Sequence, residues 1–268
     1  MEIKLIACDL DGTLLDSQGR LSPENLDAIR RMTDKGYCFV PTSGRNREQI
    51  PQALQQFPGI RYLITLSGAC VTQLPEGKAL FRHPLSREHA DRLLRIGKQQ
   101  GAAVLLYTPE GVLLEHGALE QRQDRALLED AIGACRQVGD AQAFCLAEDV
   151  QVEKAVFFCR DAAQETRLHR ALDDGTFQLC ASAENCLEVT ARGIHKATGI
   201  RALLLRLKLL PEQVLTIGDS GNDVSMLELT PNSFAVANAM PEAKRAARHL
   251  TVSNDQHVAL RIARLLGI

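Results

Sequence analysis

The chain reads as an α/β protein: a doubly wound, Rossmann-like parallel-sheet core interrupted by an inserted α+β domain. Three observations carry this. Short apolar β-prone runs alternate with amphipathic helix-length segments at both chain ends, the pattern of a parallel sheet with right-handed crossovers. Between about residues 83 and 190 the rhythm changes to hairpins and half-exposed strands, which suits antiparallel pairing. Finally, 268 residues are enough for one large domain plus a smaller one. The boundaries expected are 1–82 and 191–268 for the core and 83–190 for the insert.

In chain order, Lys4 to Cys8 is a buried strand and Pro23 to Lys35 a helix, with Ser22 as N-cap and Pro23 in the first helical position. Tyr37 to Pro41 is a strand, Arg47 to Gln56 a helix and Tyr62 to Leu66 a third strand. In the insert, Glu88 to Gln100 is helical, and Ala102 to Tyr107 pairs with Gly111 to Glu115 across the turn "TPEG". A charged helix is expected from Ala118 to Gln137, a strand from Val152 to Cys159 and a helix from Gln164 to Asp173. Two strands, Phe177 to Ala181 and Cys186 to Val189, close the insert. The first rhythm then returns: a helix from Lys196 to Leu207, strand Val214 to Ile217, helix Asp223 to Leu229, strand Ser233 to Ala237 and helix Pro241 to Ala247.

Composition excludes several functions. A formal net charge of −2 leaves no basic field of the kind that holds nucleic acid or anionic lipid, so neither nucleic acid nor membrane is an expected partner. The eight cysteines show no CxxC pair or metal-ligand spacing and read as buried free thiols of a reducing compartment. "MEIKLIACD" is too short and too charged for a signal peptide, and no run is long enough to span a bilayer, so a cytoplasmic location is expected.

The chemistry gathers at strand ends. Asp9 and Asp11 end the first strand in "DLDGTLLD", and alternation along a strand directs both to one side. Asp219 ends the strand of "VLTIGDSGND", with Asn222 and Asp223 opening the next helix. In an open parallel sheet, ligands bind beyond the carboxyl ends of the strands, so these groups can converge although far apart in sequence. "CFVPTSGR" adds Ser43, and Gly44, whose missing side chain lets backbone N–H groups approach an anion. Lys196 opens the helix of "RGIHKATGI", where a cation and the positive helix end can meet a phosphate. Four carboxylates in one crevice repel one another unless a cation neutralises them, and an all-oxygen donor set favours Mg²⁺ over zinc. Together these groups describe a phosphoryl site.

Simpler readings are weaker. An EF-hand loop fails at "DLDG", where Leu14 and Arg20 replace the required glycine and glutamate, and at "GDSGND", where Val224 and Thr230 stand. A lone helix-opening lysine is usually a solvated side chain, and Lys196 stands out only by its companions. The basic stretch Lys244 to His249 reads as a solvated helix face. Arg45 is equally a substrate clamp or a structural ion pair, and His195, beside Lys196, is the histidine to follow.

"DLDGTLLD", "TSGR", "HK" and "GDSGND" resemble, in order and character, the four motifs of the haloacid dehalogenase superfamily, and the long insert resembles that of its Cof-type sugar phosphatases. "VANAMPEAK" and "VSNDQHVAL" are similar to that group's closing segments. The resemblance implies a Mg²⁺-dependent phosphatase acting on a small phosphomonoester, with sugar phosphates the leading class. It implies Asp9 as the nucleophile that forms an aspartyl phosphate and Asp11 as general acid and base. Ser43, Gly44, Lys196 and Asn222 would serve the phosphate. Mg²⁺ would be held by Asp9, Asp11 through its backbone carbonyl, Asp219 and Asp223, the last in direct or supporting contact. The insert would act as a substrate-selecting cap. The chain departs from the family at Ser43, commonly threonine, at "LSGA", often Asn-Gly, where Ser67 would make a different substrate contact, and at His257, usually glycine. The alternatives are a phosphomutase, revealed by bisphosphorylated sugar stimulating isomer formation, and a non-catalytic sugar-phosphate sensor, which needs neither nucleophile nor general acid. Oligomeric state is not legible.

Overall fold

A computed structural model describes residues 2–117, 119, 135–183 and 185–268, which divide into two units, Met1–Phe81 with His195–Ile268, and Arg82–Ile194. The first unit holds a parallel sheet. Its strands are β1 (Leu5–Cys8) and β2 (Cys38–Pro41) from the start of the chain, and β12 (Val214–Gly218), β13 (Asn232–Ala235) and β14 (His249–Leu250) from its end, in the order β14-β13-β12-β1-β2. Alternation sorts the side chains to two faces. Ile6 and Cys8 pack with helix α1 (Pro23–Asp34) and the C-terminal helix α9 (Val258–Leu265), whereas Leu5 and Ala7 pack with Ile200, Leu203 and Leu204 of helix α6 (Lys196–Leu207). Apolar burial on both faces makes the sheet doubly wound. Ser22 caps α1, its hydroxyl accepting from Asn25 N–H at 3.1 Å.

The third expected strand departs from the plan. β3 (Tyr62–Thr65) joins the parallel sheet only through a bridge between Thr42 and Ile64, and it pairs antiparallel with β4 (Cys70–Gln73), which is followed by β5 (Lys78–Arg82). The helix expected from Arg47 to Gln56 shrinks to α2 (Gln52–Gln55). Pro51 explains this, because a proline disfavours helical backbone in the residue before it and has no N–H to continue a helix. Short helices α7 (Val224–Leu229) and α8 (Pro241–Ala246) complete the unit.

The inserted unit is built on a six-stranded sheet. Its strands are β6 (Ala103–Thr108), β7 (Gly111–Glu115), β8 (Arg136–Val138), β9 (Lys154–Phe158), β10 (Phe177–Ala183) and β11 (Cys186–Ala191), in the order β10-β11-β9-β6-β7-β8. All neighbours are antiparallel except β7 and β8. Its helices are α3 (Arg87–Gln100), α4 (Ala141–Ala147) and α5 (Ala162–Leu172). Gly97 of α3 lies so close to the Phe157 ring that any side chain there would collide with it. On the opposite face of β9, Lys154 is buried in an ion pair of 2.8 Å with Glu188 and lies 5.5 Å from the Tyr107 ring. Most of the helix expected from Ala118 to Gln137 falls outside the described residues, and its last residues are instead part of strand β8.

Candidate active site

The site is built where β1 and β12 run side by side, Cys8 opposite Ile217. Asp9 follows β1, its N–H still donating to Ile217 O at 3.0 Å, and Asp219 follows β12. The chain then turns sharply. Leu14 N–H returns to Asp9 O at 3.2 Å and Leu15 N–H to Leu10 O at 2.9 Å, around Gly12 at φ +74°. Glycine is required here twice over, because a Cβ on Gly12 would also stand 2.5 Å from Asp219 Oδ2. The Thr13 hydroxyl donates to Asp219 Oδ1 at 2.8 Å, and Asn238 Nδ2 donates to the Gly12 carbonyl at 2.8 Å. The Asp223 carboxylate ties the next turn, its Oδ2 accepting from the N–H groups of Asp219 (2.9 Å) and Ser220 (3.0 Å).

Asp9, Asp219 and Asp223 can each bring a carboxylate oxygen within 4.8 Å of the others. Lys196 reaches them from the first turn of α6. Its ammonium donates to Asp9 Oδ1 at 2.5 Å and Asp223 Oδ1 at 2.6 Å, and the side chain is 1% exposed. Burial opposes the lysine's charge, but Asp223 and Asp9 outweigh it and raise its pKa. Burial and then the neighbouring Asp223 push the carboxyls of Asp9 and Asp219 above the usual carboxylate range, with Lys196 pulling the other way. One buried cation therefore faces three carboxylates. An all-oxygen cluster with this excess of negative charge fits a hard divalent cation and offers nothing suited to a thiolate- or imidazole-preferring one.

Two of the expected site residues have partners that the sequence reading did not name. Lys196, expected on phosphate, holds two carboxylates. The Asp11 carboxylate, expected beside Asp9, turns to Arg45, which donates Nε to Oδ2 at 2.8 Å and Nη2 to Oδ1 at 2.6 Å. The loop after β2 shows which hydroxyl is available. Thr42 Oγ1 donates back to Val40 O at 3.2 Å, whereas Ser43 Oγ accepts from Arg45 N–H at 3.2 Å and so keeps its own proton to donate. Gly44, half-buried, follows directly. Asn222 sits at the opening of the turn before α7, its Oδ1 accepting from the Ser220 hydroxyl at 3.0 Å.

Departures from the family pattern acquire physical reasons. Leu66 (φ +53°) and Ser67 (φ +54°) are left-handed, as is Gly68, and asparagine and glycine tolerate that region best. Leu66 N–H donates to Arg45 O (2.9 Å) and Ser67 N–H to Ser43 O (3.1 Å), docking this turn on the Ser43 loop. A Cβ on Gly68 would run into the His195 carbonyl, so its absence lets the turn reach the start of α6. His195 caps that helix, its backbone N–H and Nδ1 each 3.3 Å from Thr198 Oγ1, and burial followed by Arg201 lowers its pKa. His257, at φ +56°, occupies a position natural for glycine, with Nδ1 3.0 Å from Ser22 Oγ. Thr13, Gly12 and Asn238 escaped the sequence reading as site residues, although they lie inside "DLDGTLLD" and "VANAMPEAK".

The pattern of haloacid dehalogenase-like hydrolases matches residues 6–262. The chain belongs to this family. Among curated relatives, an HMP-PP phosphatase of Klebsiella pneumoniae is 28% identical over 94% of this chain and 90% of its own. Phosphatase YwpJ of Bacillus subtilis is 25% identical over 95% and 96%. A crystal structure of a haloacid dehalogenase-like hydrolase from Bacteroides thetaiotaomicron is 26% identical and superposes with a TM-score of 0.81 over 99% of both chains. A sugar phosphatase of the superfamily's subclass IIB, 20% identical over 98% of this chain and 99% of its own, shares the fold with a TM-score of 0.85. Among the described residues no helix of this haloacid dehalogenase-like hydrolase is long and apolar enough to cross a membrane.

Proposed function

We propose that this chain is a Mg²⁺-dependent phosphatase that hydrolyses a small phosphomonoester through an aspartyl phosphate on Asp9. The observation that carries the reading is the cluster of buried Asp9 and Asp223 with half-buried Asp219 at the adjoining ends of β1 and β12, with the Lys196 ammonium on Asp9 and Asp223. In the first step an Asp9 carboxylate oxygen attacks phosphorus, the bond from phosphorus to the ester oxygen breaks, and Asp11 gives its proton to the departing alcohol. In the second step a water oxygen attacks phosphorus, its proton passes to Asp11, and the phosphorus–Asp9 bond breaks to release inorganic phosphate. Asp9, Asp219, Asp223 and the Asp11 backbone carbonyl would hold Mg²⁺, which supplies charge neutralisation for the carboxylates and the phosphoryl group.

The remaining groups have defined tasks. Lys196 holds Asp9 in place, so the nucleophile is oriented before substrate arrives. The Ser43 hydroxyl, the backbone at Gly44 and the Asn222 side chain are the donors offered to the phosphoryl oxygens. We assign substrate selection to the inserted unit, with sugar phosphates as the leading class. The similarity to relatives named HMP-PP phosphatase supports including HMP-PP among the candidates.

The test is phosphate release from a panel of sugar phosphates, HMP-PP and cofactor phosphates, with and without Mg²⁺, for wild type and Asp9→Asn. Metal-dependent release that disappears in the variant supports the reading. Release that survives in Asp9→Asn contradicts the nucleophile, and silence of the wild type across the panel contradicts the phosphatase.

A further inference from the structure

Arg45 is a built clamp rather than a loose surface charge. Its backbone is fixed at both ends, N–H to Ser43 Oγ at 3.2 Å and carbonyl to Leu66 N–H at 2.9 Å. One edge of the guanidinium is fixed as well, Nη1 donating to Gln49 O at 2.8 Å. Gln49 is held in turn by reciprocal bonds with Asn46, whose N–H donates to Gln49 Oε1 at 3.1 Å while Gln49 N–H donates to Asn46 Oδ1 at 3.0 Å. What remains is the Nε/Nη2 fork, and it holds the Asp11 carboxylate by both oxygens. The pair is accessible, with side chains 32% exposed for Arg45 and 55% for Asp11.

A side chain that must serve the leaving oxygen cannot keep both its oxygens on a guanidinium, so the pair has to open during turnover. Opening leaves a rigid, permanently charged, two-pronged donor two residues from Ser43, and a planar fork of this kind selects carboxylate or phosphate over neutral groups. We propose that Arg45 recognises a second anionic group on the substrate, and that Asp11 occupies the fork until that group displaces it. The substrate class is then a phosphomonoester whose leaving group carries a phosphate or carboxylate. Binding of that anion and release of Asp11 become one event, so a neutral leaving group pays for breaking the pair without replacing it. This assignment rests on the phosphatase reading above and names the substrate class within it.

The experiment measures kcat/KM for alkyl monophosphates and for the matching α,ω-alkanediol bisphosphates of two to four carbons, using wild type, Arg45→Gln and Arg45→Lys with Mg²⁺ present. A charge-assisted bond contributes roughly 1.5–3 kcal/mol, so wild type should prefer at least one bisphosphate by about tenfold or more beyond the statistical factor of two. Arg45→Gln should bring that ratio to within about twofold, with the loss in KM for the bisphosphate and a gain in kcat for the monophosphate. Arg45→Lys, which keeps the charge but not the fork, should fall between them. A wild type without preference, or an Arg45→Gln ratio equal to that of wild type, overturns the proposal alone. A wild type that releases phosphate from no compound, here or in the broader panel, overturns the phosphatase reading as well.

Discussion

Lys196 sets the charge balance of the site. Removing one partner from a buried ion pair leaves charge that water cannot reach, at a cost of about 3–5 kcal/mol. Lys196→Met should therefore lower the unfolding free energy by about that amount in urea and abolish phosphate release; a midpoint equal to wild type would mean that the two carboxylates are held by something else. Gly12 is constrained from two directions, by its positive φ and by the Asp219 carboxylate. Gly12→Ala should cut kcat by about 100-fold or more, the usual cost of displacing a reacting group by an ångström. A variant within a few-fold of wild type would show that the turn has room to adjust. The convergence of Asp9, Asp219 and Asp223 was legible in the sequence because Asp9 and Asp219 each follow a strand directly and Asp223 opens the helix that comes next, so topology dictates the destination. The bond from Asn238 to Gly12 was not, since it joins residues 226 apart and depends on a loop rather than on a strand. The Arg45–Asp11 pair was only half legible: both residues were noticed, but adjacency to a phosphate motif cannot distinguish a clamp from an ion pair.

At the scale of elements, β1, β2, β12 and β13 and the helices α1 and α6 followed from apolar runs and caps, whereas the short edge strand β14 and the β3–β4 hairpin did not. "CVTQ" is a four-residue run beside a turn of left-handed residues, too short to give a period. The C-terminal helix was also missed, although Val258, Ala259, Ile262 and Ala263 form a helical stripe that is fully or almost fully buried. Its start is hidden by His257, a residue without the usual signature of a left-handed position. The hairpin has a functional consequence through Gly68, which lets the turn touch the His195 carbonyl and so fixes where α6 presents Lys196. Gly68→Ala should destabilise the fold by about 1–3 kcal/mol, from a strained φ and the collision together. It should also lower kcat, and thermal unfolding alongside steady-state rates checks both. A variant with normal stability and reduced kcat would place the effect on Lys196 alone.

For the whole molecule, the excess of buried carboxylate predicts how stability responds to pH and metal. The carboxyls of Asp9 and Asp219 are raised above 3.8 in the native state. Once the pH exceeds that ordinary value, the unfolded chain holds fewer protons than the native one, so stability falls as pH rises until the native groups have ionised too. Without divalent cation, the melting temperature should decline over that interval, and Mg²⁺ should raise it most at the alkaline end, where the ionised cluster binds best. A melting temperature that rises with pH over the same range, or ignores Mg²⁺ throughout, would contradict the charge balance described here. The measurement that reaches the central claim most directly is chemical trapping of the intermediate. Wild-type protein turning over its best substrate with Mg²⁺ is quenched, reduced with borohydride and digested, and the peptide containing residue 9 is read by mass spectrometry. Asp9 should be converted to homoserine only when substrate and metal are present; unmodified Asp9 in protein that is releasing phosphate, with homoserine at another aspartate, would contradict nucleophilic attack by Asp9.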